Sequence, residues 1–277
     1  MTKIKNTQQL AEYDVAVSGG EIISSALLAL ALQEIGVNAR SCHAWQIPII
    51  TSNHPAQALI EEVNSEYFLQ CFAHEIVPIV TGFQGLNEFG RINTLGRGGS
   101  DTTAVAIAAA MQAELCEIYT DVDGIYNTDP RIVKNALKIN YIDYEQMLEF
   151  ASLGAKVIQN RAVHIAQRYN IDIMVRSSFN DQNGSLITNK ENIMEKSKIT
   201  GIAYDNKIAL VKITNITNLV DLFALCAEHN IIISNINHND LKHVSFTVSL
   251  QDISRLHQLL SDQESDFNIN EEIAMVA

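Results

Sequence analysis

Three glycines within four residues, Gly96, Gly98 and Gly99, precede Ser100 and Asp101 and then an alanine-rich stretch that runs to about Ala113. Glycine allows a tight backbone turn, and Ser and Asp are good helix N-caps, so the spacing predicts a glycine turn feeding a helix. Such a turn leaves backbone N–H groups pointing outward at the positive end of a helix, a place suited to an anion. Arg97, inside the turn, adds a planar donor fork for a carboxylate. The same glycines would also serve a plain tight turn; Arg97 and Asp101 four residues apart favour the binding reading. Upstream, the β-branched run Ile76 to Thr81 ends at Gly82 and Gly85 and reads as a buried parallel strand.

The rest of the chain repeats this alternation. Glu21 to Leu32 reads as a packed helix stopped by Gly36, and Ala39 to Thr51 as extended. Cys116 to Thr120 reads as a strand, Tyr144 to Ser152 and Val157 to Tyr169 as helices, and Ile171 to Ser177 as a strand. Alternating β and α elements predict an α/β sandwich with a mainly parallel central sheet over residues 1–182. The pattern breaks at DQNGS and a mixed-charge stretch, so 183–198 is expected to be a linker. Residues 199–277 then read as strand (Ile208 to Ile213), helix (Leu219 to His229), two strands (Ile231 to Ile236, Val244 to Ser249), helix (Ile253 to Ser261) and a last strand (Glu272 to Val276). That order, βαββαβ, predicts a small α+β ferredoxin-like module.

Composition excludes several functions. The formal charge of −13 is spread along 277 residues with no basic stripe, so nucleic acid is not an expected partner. Positive potential for a phosphate must come from a few Lys and Arg side chains and from helix N-termini. Cys42, Cys71, Cys116 and Cys226 lie far apart without a CxxC pair, which argues against zinc or redox chemistry and for small buried thiols. The N-terminal residues contain no signal-peptide run, and no segment reads as a membrane span of ~20 apolar residues, so a cytoplasmic location and no membrane partner are expected.

Two further segments could carry chemistry. In YTDVDGIYNTDPR, Tyr119 to Arg131, acidic residues stand at the carboxyl end of a predicted strand, where open α/β sheets bind ligands, and Tyr126 and Arg131 offer an aromatic face and a phosphate partner. Gly124 and Pro130 read as turn builders. In ASLGAKV, Ala151 to Val157, Gly154 interrupts the helix and Lys156 opens the next one. A cation at a helix start is unfavourable unless an anion, such as a phosphate, lies nearby.

These motifs, in this order, resemble the aspartate kinases of the amino-acid kinase family, and the likeness runs almost continuously from Ser18 to Ser178. GRGGSDTTAVA, EQMLEF and ASLGAKV are similar to aspartate kinases in particular; TDVDG with DP a few residues on is shared by kinases acting on glutamate or UMP. The C-terminal module resembles an ACT domain, a small-molecule sensor. The resemblance implies ATP-dependent phosphorylation of the aspartate β-carboxylate to 4-phospho-L-aspartate, the first step toward lysine, threonine and methionine, with ATP as co-substrate and Mg²⁺. It implies that Glu21, in SGGE, with Arg97 and Asp101 holds aspartate: Arg97 the α-carboxylate, the two acids its ammonium. Arg97, Gly98, Gly99 and Ser100 would line that pocket. Thr120, Asp121, Tyr126, Arg131, Lys156 and Val157 would form the ATP site. Asp101 and Lys156 would be catalytic, Asp101 instead or also orienting a catalytic lysine.

The sequence departs from the family in two places. The family's K-x-GG-[ST] loop after a first strand is not read here, since neither Lys3 nor Lys5 is followed by glycines, and an edge or gap in the sheet is expected in its place. A single ACT-like module is read instead of two, and its first turn, ITNITNLVDLF, lacks the usual Pro-Gly. A homodimer through that module, and an amino-acid effector bound to it, are the partners the resemblance implies. The alternative is an aspartokinase-like subunit that binds or regulates with little turnover of its own.

Overall fold

The first helix, α1 (Thr7–Glu34), is 28 residues long and runs straight through Ser18-Gly19-Gly20-Glu21, so it begins well before Glu21, where the pattern placed its start. Glycine inside a helix costs about 1 kcal/mol relative to alanine. Tertiary bonds in the turns just before the glycines offset that cost. The buried carboxylate of Asp14 accepts from Thr94 and Ala56, and the Ser18 carbonyl accepts from Gln84 Nε2 at 3.4 Å. The helix also corrects the expectation of no membrane-length segment: Gln8–Glu34 is long and apolar enough to cross a bilayer, and 17% of its most apolar 18-residue window is buried. Ile23, Leu27 and Leu30 lie on its exposed side.

This computed structural model describes residues 7–152, 157–189, 201–214, 218–229, 231–240, 243–262 and 266–276. The chain divides into two units, Met1–Gly201 and Ile202–Ala277. In the first, strands Ala39–Cys42 and Val77–Val80 form a parallel pair. Val77 is exposed and its neighbours are only partly covered, so this strand is not the buried one the β-branched run predicted. Among the described residues it pairs on one side alone, and Pro78, which has no N–H, suits an edge. A second sheet orders Ile60–Val63, Ile49–Thr51, Gln84–Leu86 and Ile92–Thr94, and helix α2 (Ser65–Ala73) follows its first hairpin, capped by the Asn64 side chain on Glu66 N–H.

A third sheet orders Tyr141–Asp143, Ser185–Thr188, Asp172–Ser177 and Leu115–Thr120, with parallel outer pairs and one antiparallel pair between them. Ser185–Thr188 falls within the stretch read as linker. It is a strand because its alternate residues face the core, Ile187 being fully buried. A mixed α/β fold results. Helices α3 (Gly99–Ala110), α4 (Tyr144–Ser152) and α5 (Asn160–Tyr169) cover the sheet, and their buried faces meet Ile118, Ile142, Ile173 and Val175 in one core. A short antiparallel pair, Ile125–Tyr126 with Lys138–Ile139, closes the loop after Leu115–Thr120.

The second unit has a four-stranded antiparallel sheet in the order Ile233–Asp240, His243–Ser249, Ile208–Thr214, Asp266–Asn270. Helices α6 (Leu219–Glu228) and α7 (Ile253–Asp262) pack on it around Phe246, Leu256 and Leu260. The fourth strand is Asp266–Asn270, earlier than expected; Met275–Val276 instead pairs with Tyr204–Asp205. Asn218 caps α6 through Val220 N–H at 3.0 Å and Asp221 N–H, so the helix start does not need a Pro-Gly turn.

Candidate functional site

Strand Ile92–Thr94 runs through Leu95 into the glycine turn, which opens α3. The N-cap is Gly98, left-handed at φ 71°, with no side-chain cap bond, so Ser100 and Asp101 stand in the first turn rather than at the cap. Gly96 is left-handed too, at φ 82°. Gly99 is needed for contact: a Cβ there would lie 2.8 Å from Leu95 Cβ and 3.0 Å from the Phe83 ring. Thr103 locks the turn from behind, its hydroxyl donating to the Gly99 carbonyl at 2.9 Å and accepting the Phe83 N–H at 3.0 Å.

With the turn fixed this way, Arg97 and Ser100 are exposed and Gly99 is buried. Among the described residues the Arg97 guanidinium has no hydrogen bond or ion pair, whereas Arg91, Arg131, Arg176 and Arg255 each pair with a carboxylate. Asp101 is half-buried, and burial raises its pKa above the ordinary carboxylate value, partly countered by the Gln159 N–H that it accepts at 3.2 Å. Two buried side-chain oxygens beside this turn, Gln84 Oε1 and Thr102 Oγ1, have no partner among the described residues. Glu21, in α1, is partly exposed, less than one turn beyond the Ser18 carbonyl that Gln84 holds.

The Asp101–Gln159 bond ties the glycine motif to a residue two positions beyond ASLGAKV. Gln159 caps α5 through Arg161 N–H, so α5 begins at Asn160 and not at Val157 as the periodicity suggested. Gln159 also lies against the glycine turn, where a Cβ on Gly98 would come within 2.5 Å of its Cγ. Val157, two residues earlier, is partly buried and packs against the core of the first unit. Lys156, expected as a catalytic and nucleotide-binding residue, lies outside the described residues, as does Gly154.

The remaining expected residues cluster after strand Leu115–Thr120, whose last carbonyl accepts Ser178 N–H at 2.8 Å from the parallel neighbour. Thr120 donates to the exposed Asp121 at 3.2 Å. The Tyr126 hydroxyl donates to both Asp123 oxygens, at 3.0 and 3.1 Å, and burial followed by that carboxylate raises its pKa. Lys138 completes this group, 3.6 Å from Asp123 and donating to the Asn183 carbonyl at 2.7 Å. Arg131, expected to meet a phosphate, is exposed and holds Asp129 through Nε and Nη2; that bond is the chief cause of the lowered Asp129 pKa. Asp101 reaches this strand electrostatically. Burial, then the Asp101 and Glu117 carboxylates, push the Cys116 thiol to about 11. All four cysteines are buried free thiols.

Sequence reasoning missed Asp14 and Arg161, whose side chains bond to backbone groups more than 40 residues away, and Gln159, whose backbone N–H donates to the Asp101 carboxylate. Among the described residues no group of three or more His, Cys, Asp or Glu could hold a metal. A magnesium ion here would have to enter on the nucleotide phosphates, since Mg²⁺ usually keeps waters and one or two carboxylates rather than a protein cage.

Comparison with known proteins converges on one group. Residues 2–177 match the amino acid kinase family. An aspartokinase of Rickettsia felis is 42% identical over 290 residues, covering 100% of this chain and 71% of the relative. An aspartokinase of Rickettsia bellii is 47% identical over 232 residues, covering 83% of this chain and 57% of the relative. The structure of Escherichia coli aspartokinase III in complex with aspartate and ADP superposes with a TM-score of 0.80 at 29% identity, over 96% of this chain and 63% of that one. The chain thus spans little more than half the length of some relatives it matches. With the glycine turn and the α/β fold in agreement, the chain belongs to the amino acid kinase family, among the aspartokinases.

Proposed function

We propose that this chain binds L-aspartate at the Arg97–Asp101 turn and ATP along Thr120–Arg131, and transfers the γ-phosphoryl group to the aspartate β-carboxylate. The observation that carries this reading is the exposed Arg97 guanidinium, unpaired among the described residues, in a turn whose geometry Gly98, Gly99 and Thr103 fix from behind. Arg97 would take the α-carboxylate in a forked bond. Asp101 and Glu21 would face the ammonium, and Gly98, Gly99 and Ser100 would line the pocket. Thr120, Asp121, Tyr126, Arg131, Lys156 and Val157 would hold the nucleotide. Arg131 must then exchange Asp129 for a phosphate, which its exposure permits. The aspartokinase III structure that this fold superposes on holds aspartate and ADP, which supports both substrates.

The transfer needs no general base. A β-carboxylate with a pKa of about 3.9 is ionised at neutral pH and attacks the γ-phosphorus directly. A carboxylate oxygen–phosphorus bond forms, the bond from γ-phosphorus to the bridging oxygen breaks, and ADP leaves with that electron pair. Rate then depends on alignment and on neutralising charge on the phosphoryl oxygens. Mg²⁺ brought in with ATP would supply part of that neutralisation, and Lys156 would supply another.

A homodimer through the second unit is part of this proposal. Its edge strand Ile233–Asp240 pairs on one side among the described residues, and Ile232 just before it and Ile236 within it are exposed. An amino-acid effector would bind that unit, and the cytoplasm, where ATP and aspartate are abundant, is the proposed location. A second reading is a subunit that binds aspartate but turns over only with a longer aspartokinase; the one-sided strand Val77–Val80 and the bare apolar side of α1 favour it.

A coupled ADP-release assay with aspartate, glutamate or UMP as acceptor tests the leading reading. Aspartate-dependent turnover that Arg97→Ala abolishes is expected. No turnover above the variant, with activity appearing only on mixing with a full-length aspartokinase, would support the second reading.

A further inference from the structure

Arg161, the second residue of α5, is half-buried, and burial lowers its pKa. Its Nη1 donates to the Leu95 carbonyl at 2.7 Å and its Nη2 to the Ala58 carbonyl at 2.9 Å. A buried guanidinium is ordinarily matched to a carboxylate, because taking charge out of water is costly. Here both acceptors are uncharged peptide groups, which makes the arrangement expensive as a device for stability alone. What the two carbonyls share is their place. Leu95 leads directly into Gly96 and Arg97, and the Ala58 N–H donates to the Thr94 carbonyl at 3.0 Å.

The same two segments are held from α1. The Asp14 carboxylate accepts Thr94 N–H and Ala56 N–H, each at 2.8 Å. Ala56 sits at φ 65°, unusual for a residue with a side chain, and its carbonyl would lie 3.0 Å from a Cβ on Gly96. Thr94 is therefore gripped by an acid on α1 and its neighbour Leu95 by a guanidinium on α5, leaving the next residues, Gly96 and Arg97, to project from a clamped base.

We propose that Arg161 is a positioning residue for the carboxylate site: by holding the Leu95 and Ala58 carbonyls it sets the orientation in which Arg97 and the turn's N–H groups meet the substrate's α-carboxylate. This inference rests on the aspartate reading above for the identity of the substrate, but the clamp itself does not.

The test compares wild type with Arg161→Met, which removes the donors, and Arg161→Lys, which keeps the charge but not the planar fork. Hydrogen–deuterium exchange is followed in the peptide spanning residues 94–101, with strand Asp172–Ser177 as a folding control, and KM is measured for aspartate and for ATP. Arg161→Met is expected to speed exchange in the turn by about tenfold and Arg161→Lys by less, the control strand staying protected in both. The aspartate KM should rise about tenfold while the ATP KM stays within about twofold, since a misplaced carboxylate clamp costs alignment of one substrate only. Added guanidinium chloride at millimolar concentration should restore part of the aspartate KM in Arg161→Met. Unchanged exchange in the turn, or equal rises in both KM values, would overturn the proposal. Faster exchange in a chain that binds no aspartate would overturn the aspartate reading, and the substrate half of this inference with it, while leaving the clamp in place.

Discussion

The carboxylate of Asp101 accepts the backbone N–H of Gln159 at 3.2 Å, joining the first turn of α3 to the start of α5 across 58 residues of chain. Through this one bond the first turn of α3 is tied to the N-cap residue of α5. In the proposed function the same carboxylate would also face the substrate ammonium, and these two duties can be separated by substitution and by pH.

Asp101→Asn keeps an oxygen for Gln159 N–H but loses the charge, and kcat/KM for aspartate should fall by at least about 10²-fold. Because burial raises the Asp101 pKa in the folded chain, the folded state holds its proton more readily than the unfolded one. Its contribution to stability is then present below the unfolded pKa and is lost as pH rises through the folded value. Thermal melts from pH 3 to pH 7 should show Asp101→Asn gaining on wild type as pH rises. Aspartate affinity of wild type should begin to weaken, on acidification, at a pH above the ordinary carboxylate value. A wild-type-to-variant difference in melting temperature that stays constant or moves in favour of wild type as pH rises would contradict the assignment of burial as the cause.

Asp14 lies fully buried and accepts three hydrogen bonds, from Thr94 N–H, Thr94 Oγ1 and Ala56 N–H. Asp14→Ala strands those donors and should cost about 3 kcal/mol in urea unfolding, within the range for buried groups left unpaired. A loss under about 0.5 kcal/mol, the size of an ordinary surface change, would mean that α1 is not anchored there.

Gly20 lies inside α1 with open space where a Cβ would stand. Gly20→Ala should therefore raise stability by about 0.5–1 kcal/mol, from helix propensity and a less flexible unfolded chain. Destabilisation would show that the chain turns at SGGE after all. Activity is the informative companion measurement, since Glu21 is the next residue.

Gly98 is the left-handed N-cap of α3 and touches Gln159. Gly98→Ala carries a backbone penalty of about 1–2 kcal/mol and pushes the Gln159 side chain aside. The aspartate KM should rise more than the ATP KM, measured with each substrate varied in turn.

Much of this could be read in the sequence where short-range signals agree. The glycine turn, α3, α4 and the strand Asp172–Ser177 combine periodicity with nearby breakers, and each was expected within a few residues. Other features depend on distant partners that leave no local mark. The glycines of SGGE imitate a turn, and only bonds from Asp14 and Ser18 to strands about 70 residues later or more explain why a helix passes through them. Ser185–Thr188 follows a polar DQNGS stretch that resembles a linker, yet it pairs with two strands and buries Ile187. Arg161 and Gln159 act on main-chain atoms, which any residue type supplies, so no motif announces them.

The central claim is that the turn from Arg97 to Asp101 is a site for the α-carboxylate and ammonium of aspartate. Isothermal titration of L-aspartate into wild type and Arg97→Ala tests it most directly, because it needs no turnover. Saturable binding to wild type, weakened by about 10–100-fold in Arg97→Ala, as expected for a forked charge-assisted bond, is the predicted result. Equal binding by both proteins, or none by wild type, would contradict it.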